Sequence, residues 1–153
     1  MTIKKEEILI FKKVVELLHD WIILKTGGEL GMRDDGGLYH ICTRIYEYSE
    51  KNMPFFDWVS HIYKDFATRH YFIDGNKRTA HTLAKAALIA HGYHFKIPYK
   101  EAVKFIIEIG DSKKSLGDIK KWLEENSERI KEDEINKYIT EWQKKIGDEY
   151  HET

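Results

Sequence analysis

The sequence predicts an all-α domain. Only two prolines, Pro54 and Pro98, stand in 153 residues, and apolar residues recur with a 3.6-residue period over long stretches around them. A run of mostly small residues, Thr79-Ala80-His81-Thr82-Leu83-Ala84-Lys85-Ala86-Ala87-Leu88, adds a third observation. Small side chains let neighbouring helices approach closely, so this run marks the central, most buried helix.

The first helix covers Lys4 to Lys25. Ile8, Phe11, Val15, Leu18 and Ile22 step along one face, with Lys and Glu opposite. Gly27-Gly28 ends it. The stretch Gly27 to Gly37 has five glycines in eleven residues. It cannot stay helical, and an ordinary helix connection needs fewer residues, so a hairpin or loop is predicted. A second helix runs from Gly37 or Leu38 to Tyr48.

Pro54 suits the first turn of a third helix, Phe55 to Thr68, in which Phe55, Trp58, Val59, Ile62, Tyr63 and Phe66 have core spacing. A loop, His70 to Gly75, then leads into the small-residue helix from Asn76 to Ala90, capped by Gly92. Pro98-Tyr99 opens a helix reaching Gly110. Ser115 or Asp118 begins a short one holding Trp122 and Leu123. Glu128 to Gly147 reads as a terminal amphipathic helix, with Ile135, Tyr138, Ile139, Trp142 and Ile146 on one side.

Length and 42% hydrophobic content fit one globular domain, residues 1–153. A formal net charge of −1 supplies no basic field toward nucleic acid or a membrane surface. The single cysteine, Cys42, cannot form an intramolecular disulfide and reads as a small buried hydrophobe; a reducing, cytoplasmic setting is expected. The first seven residues lack the apolar run of a signal peptide, and no segment has the apolar length of a membrane span. His61, His70, His81 and His91 match no zinc-ligand spacing. The glycines at 27–37 match neither a P-loop nor a dinucleotide fingerprint.

The chemistry concentrates at residues 70–79, His-Tyr-Phe-Ile-Asp-Gly-Asn-Lys-Arg-Thr. His70 can accept a proton near neutral pH. Asp74 is a hard oxygen ligand suited to Mg²⁺ shared with nucleotide phosphates. Gly75 permits a tight turn, and Asn76, Lys77 and Arg78 offer donors to phosphate oxygens beside a helix N-terminus. A plain turn between helices needs neither the Phe two residues before the Asp nor the Arg three after the Gly.

His70, Phe72, Asp74, Gly75, Asn76, Lys77 and Arg78 stand in register with the pattern H-x-F-x-D/E-G/A-N-G/K-R. On these residues the chain resembles the Fic/Doc family over about residues 3–125, with an additional C-terminal helix at about 128–147. The resemblance implies a Fic-type helical bundle with a short β-hairpin flap that aligns the target; Gly31-Met32-Arg33-Asp34 followed by Leu38 resembles the flap region. It implies Mg²⁺/ATP-dependent transfer onto a hydroxyl side chain of a target protein. His70 would be the base, Asp74 the metal ligand, and Asn76 and Arg78 catalytic donors in an anion hole. Gly75 and Lys77 would join Asn76 and Arg78 around the nucleotide.

Lys77, where most Fic proteins have Gly, draws the match toward the Doc (death-on-curing) branch. There a lysine implies a reversed nucleotide presenting its γ-phosphate, hence a kinase. Glycine implies adenylylation (AMPylation), which stays open as the alternative. His81 falls where many Fic proteins have a second Arg for the terminal phosphate. Doc-like character further implies a toxin of a toxin–antitoxin pair, with the translation machinery as target class. The inhibitory pattern Ser/Thr-x-x-x-Glu-Gly/Asn finds its nearest match at residues 2–7 and fails at Glu7, so an antitoxin acting in trans is expected. A reading from a different class is a nucleotide- or partner-binding module without transfer activity. Oligomeric state is left open.

Overall fold

In the computed structural model, which describes residues 2–150, the chain forms seven α-helices. They are α1 (Thr2–Thr26), α2 (Asp35–Glu50), α3 (Phe55–Thr68), α4 (Asn76–Ala90), α5 (Tyr99–Gly110), α6 (Leu116–Glu125) and α7 (Ile135–Glu149). The helical architecture expected from the apolar periodicity is present.

Helix α4 is the axis of the fold, and its small residues are the reason. Ala80 and Ala84 are fully buried, so α3 packs closely along it and brings Val59, Tyr63 and Phe66 into the shared core. Helix α6 covers the other side of α3 with Ile119 and Leu123. Helix α1 lies across α2 and α4 and buries Ile8, Val15 and Ile22. Truncating a fully buried aromatic such as Phe66 to alanine would cost about 3–5 kcal/mol. Cys42 is buried in the same core. Burial pushes its thiol up to about 12, as suits a packing residue rather than a nucleophile.

Three elements differ from the sequence expectation. Residues 27–34 form no β-hairpin. They run as a single strap whose backbone pairs with the loop before α4: Arg33 N–H donates to Tyr71 O at 2.8 Å and Ile73 N–H to Gly31 O at 3.1 Å. Met32 and Phe72 form one isolated antiparallel bridge. Gly27, Gly28 and Gly31 take φ of +92°, +123° and +133°, and that backbone cannot lie in a regular strand.

Helix α2 begins earlier than expected. Asp34 accepts a hydrogen bond from Gly37 N–H at 2.9 Å and caps the helix, which takes Gly36 and Gly37 into its first turn.

The terminal helix begins at Ile135 rather than Glu128. Its expected first turn forms a strand instead: β2 (Ser127–Arg129) pairs antiparallel with β1 (Tyr93–Phe95). The Arg129 guanidinium lies 5.0 Å over the Tyr93 ring, a cross-strand contact that favours this register.

Candidate active site

The loop 70–75 is held by α4, which it precedes, and by α1, which it crosses. Phe72 is buried and stacks on the His19 ring at 3.7 Å between centroids, the planes 5° apart. The Asn76 side chain clamps the same residue. Its Oδ1 accepts Phe72 N–H at 3.0 Å and its Nδ2 donates to Phe72 O at 2.9 Å. Asn76, expected as an anion-hole donor, therefore commits both its amide groups to fixing the loop, with one Nδ2 hydrogen remaining.

Gly75 then turns the chain into α4 with φ +80°. A Cβ there would meet Ile23 Cδ1 at 2.8 Å and His19 Nε2 at 3.5 Å. Both the backbone and the packing therefore require glycine. The first-turn N–H groups of α4 have no intrahelical partners and face a position suited to an anion.

Asp74 sits at the join of strap and loop. Oδ2 accepts Glu29 N–H at 3.1 Å, Oδ1 accepts Gly75 N–H at 2.8 Å, and Arg78 Nη2 lies 3.4 Å from Oδ1. Gly28 makes this approach feasible, since a Cβ there would stand 2.5 Å from Asp74 Oδ2. The Glu29 N–H holds the Asp74 carboxyl below its ordinary range; partial burial works against it, and Gly75 N–H and the Arg78 charge reinforce it.

Arg78 is more committed than its expected role as a phosphate fork implies. Nη1 donates to Thr26 Oγ1 at 2.6 Å and to Gly27 O at 2.7 Å, so the guanidinium ties the end of α1 to α4.

These residues share one cleft of about 640 Å³. His70, Asp74, Gly75, Asn76, Lys77 and Arg78, all six expected site residues, line it. Thr26 to Gly28 form a second wall, and Tyr99 and Tyr150 a third. His70 is exposed at the rim. Lys77 is half-buried with its stem near Gly110. No hydrogen bond or ion pair holds its ammonium among the described residues, in contrast with Arg78.

His81 does not reach the cleft. It is fully buried, its Nδ1 is 2.6 Å from Tyr63 Oη, and the Tyr99 and Tyr150 rings lie against it. Burial lowers its pKa and keeps it neutral.

The sequence reading missed three contributors. His19 is a polar residue beside the apolar stripe of α1. Its Nε2 lies 2.7 Å from Asp74 O and its Nδ1 3.0 Å from Asp20 Oδ1. A histidine one position past Leu18 on the buried side was the signal available. Thr26 had none, because its role depends on where Arg78 arrives. Tyr150 forms a short hydrogen bond with Thr82 and closes the cleft from the far end of α7. Beside it, Glu149 accepts from Lys85 at 3.2 Å. Burial disfavours the Glu149 charge, but His81 and Lys85 outweigh it and hold the carboxyl below its ordinary range.

The Asp74 contacts give a pH dependence. A depressed carboxyl contributes stability above its ordinary pKa of 3.8, which is lost as pH falls through the lower folded value. Thermal unfolding should show the parent more stable than Asp74→Asn at pH 6, with the two converging as the pH drops below 3.8. A constant difference down to pH 2 would mean that the Asp74 charge does not tie the strap.

Asp74 fits a magnesium ligand on two grounds: it is ionised at neutral pH, and its side chain is 44% exposed at the cleft. No cluster of three or more acidic, His or Cys side chains suited to a metal occurs among the described residues. A Mg²⁺ there would rest on one carboxylate and on the phosphates it accompanies.

The sequence model described as the Fic/DOC family matches residues 10–88. That span runs from α1 through α4 and includes the strap and every expected site residue. No curated protein matches the chain. No helix among the described residues is long and apolar enough to cross a membrane.

Proposed function

Since this chain belongs to the Fic/DOC family, whose general activity is ATP-dependent modification of target proteins, we propose that it is a Doc-like kinase. It would transfer the γ-phosphoryl group of ATP to a hydroxyl side chain of another protein. The observation that carries this reading is the division of labour between the two cations of the motif. Arg78 is bonded to Thr26 and Gly27, while Lys77 lines the cleft with no such bond.

A lysine ammonium is a compact point charge that attracts phosphate oxygens. Beside the first-turn N–H groups of α4 it forms the cationic end of the cleft. With His81 enclosed behind Tyr99 and Tyr150, the cleft holds no second arginine for a terminal phosphate.

His70 would take the proton of the attacking hydroxyl on a ring nitrogen. As it does so, the oxygen–γ-phosphorus bond forms, the bond from γ-phosphorus to the bridging β-oxygen breaks, and ADP leaves. Bound at Asp74, Mg²⁺ would supply charge neutralisation on the phosphates. Asn76, His19 and Phe72 fix the loop, so that His70 and the helix N-terminus keep their spacing during transfer. By the same family likeness the target class is the translation machinery, and an antitoxin in trans holds the activity off.

Lys77→Gly tests the nucleotide's orientation. With ATP labelled separately at the α- and γ-phosphates, the parent should place γ-label on the target and the variant should gain α-label. An unchanged product in Lys77→Gly would mean that Lys77 does not set which phosphate is presented.

A further inference from the structure

Helix α1 has two apolar faces, and only one of them is used. Ile8, Val15 and Ile22 enter the core. On the opposite side, Ile10, Val14, Leu17 and Leu24 are 64%, 52%, 56% and 74% exposed, and half-buried Trp21, which also packs against the core, lies in the same row. Five of the eight large hydrophobic residues exposed among the described residues lie on this one helix, Leu9 being the fifth.

Residues 10, 14, 17, 21 and 24 are separated by 4, 3, 4 and 3 positions. At about 100° per residue they fall within a stripe roughly 80° wide and 21 Å long. That alternation is the seam of two helices packed side by side, narrower than the face a helix turns to a globular core. A solvated helix has no use for it.

We propose that this seam pairs with the same seam of a second copy of the chain, antiparallel, making a two-fold dimer. The charges beside the stripe select the occupant. Lys13 and Asp20 flank it on the same side, about 20° apart around the axis and seven residues apart along it. In an antiparallel pair centred near Leu17, Lys13 of each copy falls opposite Asp20 of the other, giving two attractive pairs. In a parallel two-fold pair the flank bearing Lys13 and Asp20 in one copy lies across the seam from that of the other, so neither charge pair forms. A closed two-fold interface is self-complementary in this way, and charge pairs at flanking positions set orientation.

The test is the mass in solution of the full chain by sedimentation. Leu17→Glu should reduce a dimer to the 18.2 kDa monomer while far-UV circular dichroism stays unchanged. Lys13→Glu and Asp20→Lys should each weaken self-association by tenfold or more. Mixed in equal amounts they should form a heterodimer, because both cross-pairs become attractive again. A parent that stays monomeric at hundreds of micromolar would overturn the proposal and leave the seam to a helix of another protein. Two charge variants that fail to recover dimer on mixing would overturn the antiparallel pairing.

Discussion

Replacing His70 with alanine lowers the transfer rate by about 10²–10⁴-fold, the usual worth of a positioned general base. Nucleotide affinity should stay within a few-fold of the parent. The separation follows from geometry. His70 stands exposed at the cleft rim, while the cationic and backbone donors proposed to meet phosphate lie on the first turn of α4. The imidazole also forms no hydrogen bond to Asn76, His19 or Asp74, the groups that fix the loop. Removing it should leave the loop standing. Single-turnover rates with saturating nucleotide, beside nucleotide titration of the same protein, separate the two quantities. Equal rates in variant and parent would remove His70 as base; lost binding would make it part of the nucleotide site.

The second large effect is on stability. Gly75→Ala forces a side chain into left-handed backbone at φ +80°, at about 1–2 kcal/mol. It also drives a Cβ to 2.8 Å from Ile23 Cδ1, and overpacking of that kind adds about 1–3 kcal/mol. Together these predict a loss of about 2–5 kcal/mol, or roughly 5–15 °C in Tm for a domain of this size. Activity should fall with it, because the Gly75 N–H bonded to Asp74 and the first turn of α4 both move. Gly36→Ala is the control. That residue lies in the first turn of α2 with nothing within 4 Å of its Cβ position, so the variant should match or exceed the parent in Tm. Equal melting of Gly75→Ala and parent would show that the loop tolerates another turn.

The apolar spacing of α1 and α3, and the small-residue run of α4, made the bundle legible from sequence. Local signals of this kind survive folding because each buried face is written in one segment. The motif was legible for the same reason: His70 to Arg78 are consecutive, and a loop into a helix N-terminus brings them together by itself. What stayed hidden was pairing at long range.

The strap was expected to fold on itself, yet its backbone finds Tyr71 and Ile73, about forty residues away. Glu128 and Arg129 read as the start of a helix, yet they pair with β1. The working roles of Asn76 and Arg78 were hidden in the same sense. Their partners, Phe72 and Thr26, are set by tertiary contact. A motif reading names the residues in the cleft, and only the structure says which donors remain unspent.

The most direct measurement is transfer from Mg-ATP carrying separate labels at the α- and γ-phosphates, with a cell extract as target pool and His70→Ala as control. Label from the γ-position on a protein band, absent with His70→Ala, is the predicted result. Label from the α-position on that band would make the protein an adenylyltransferase and contradict the role given to Lys77.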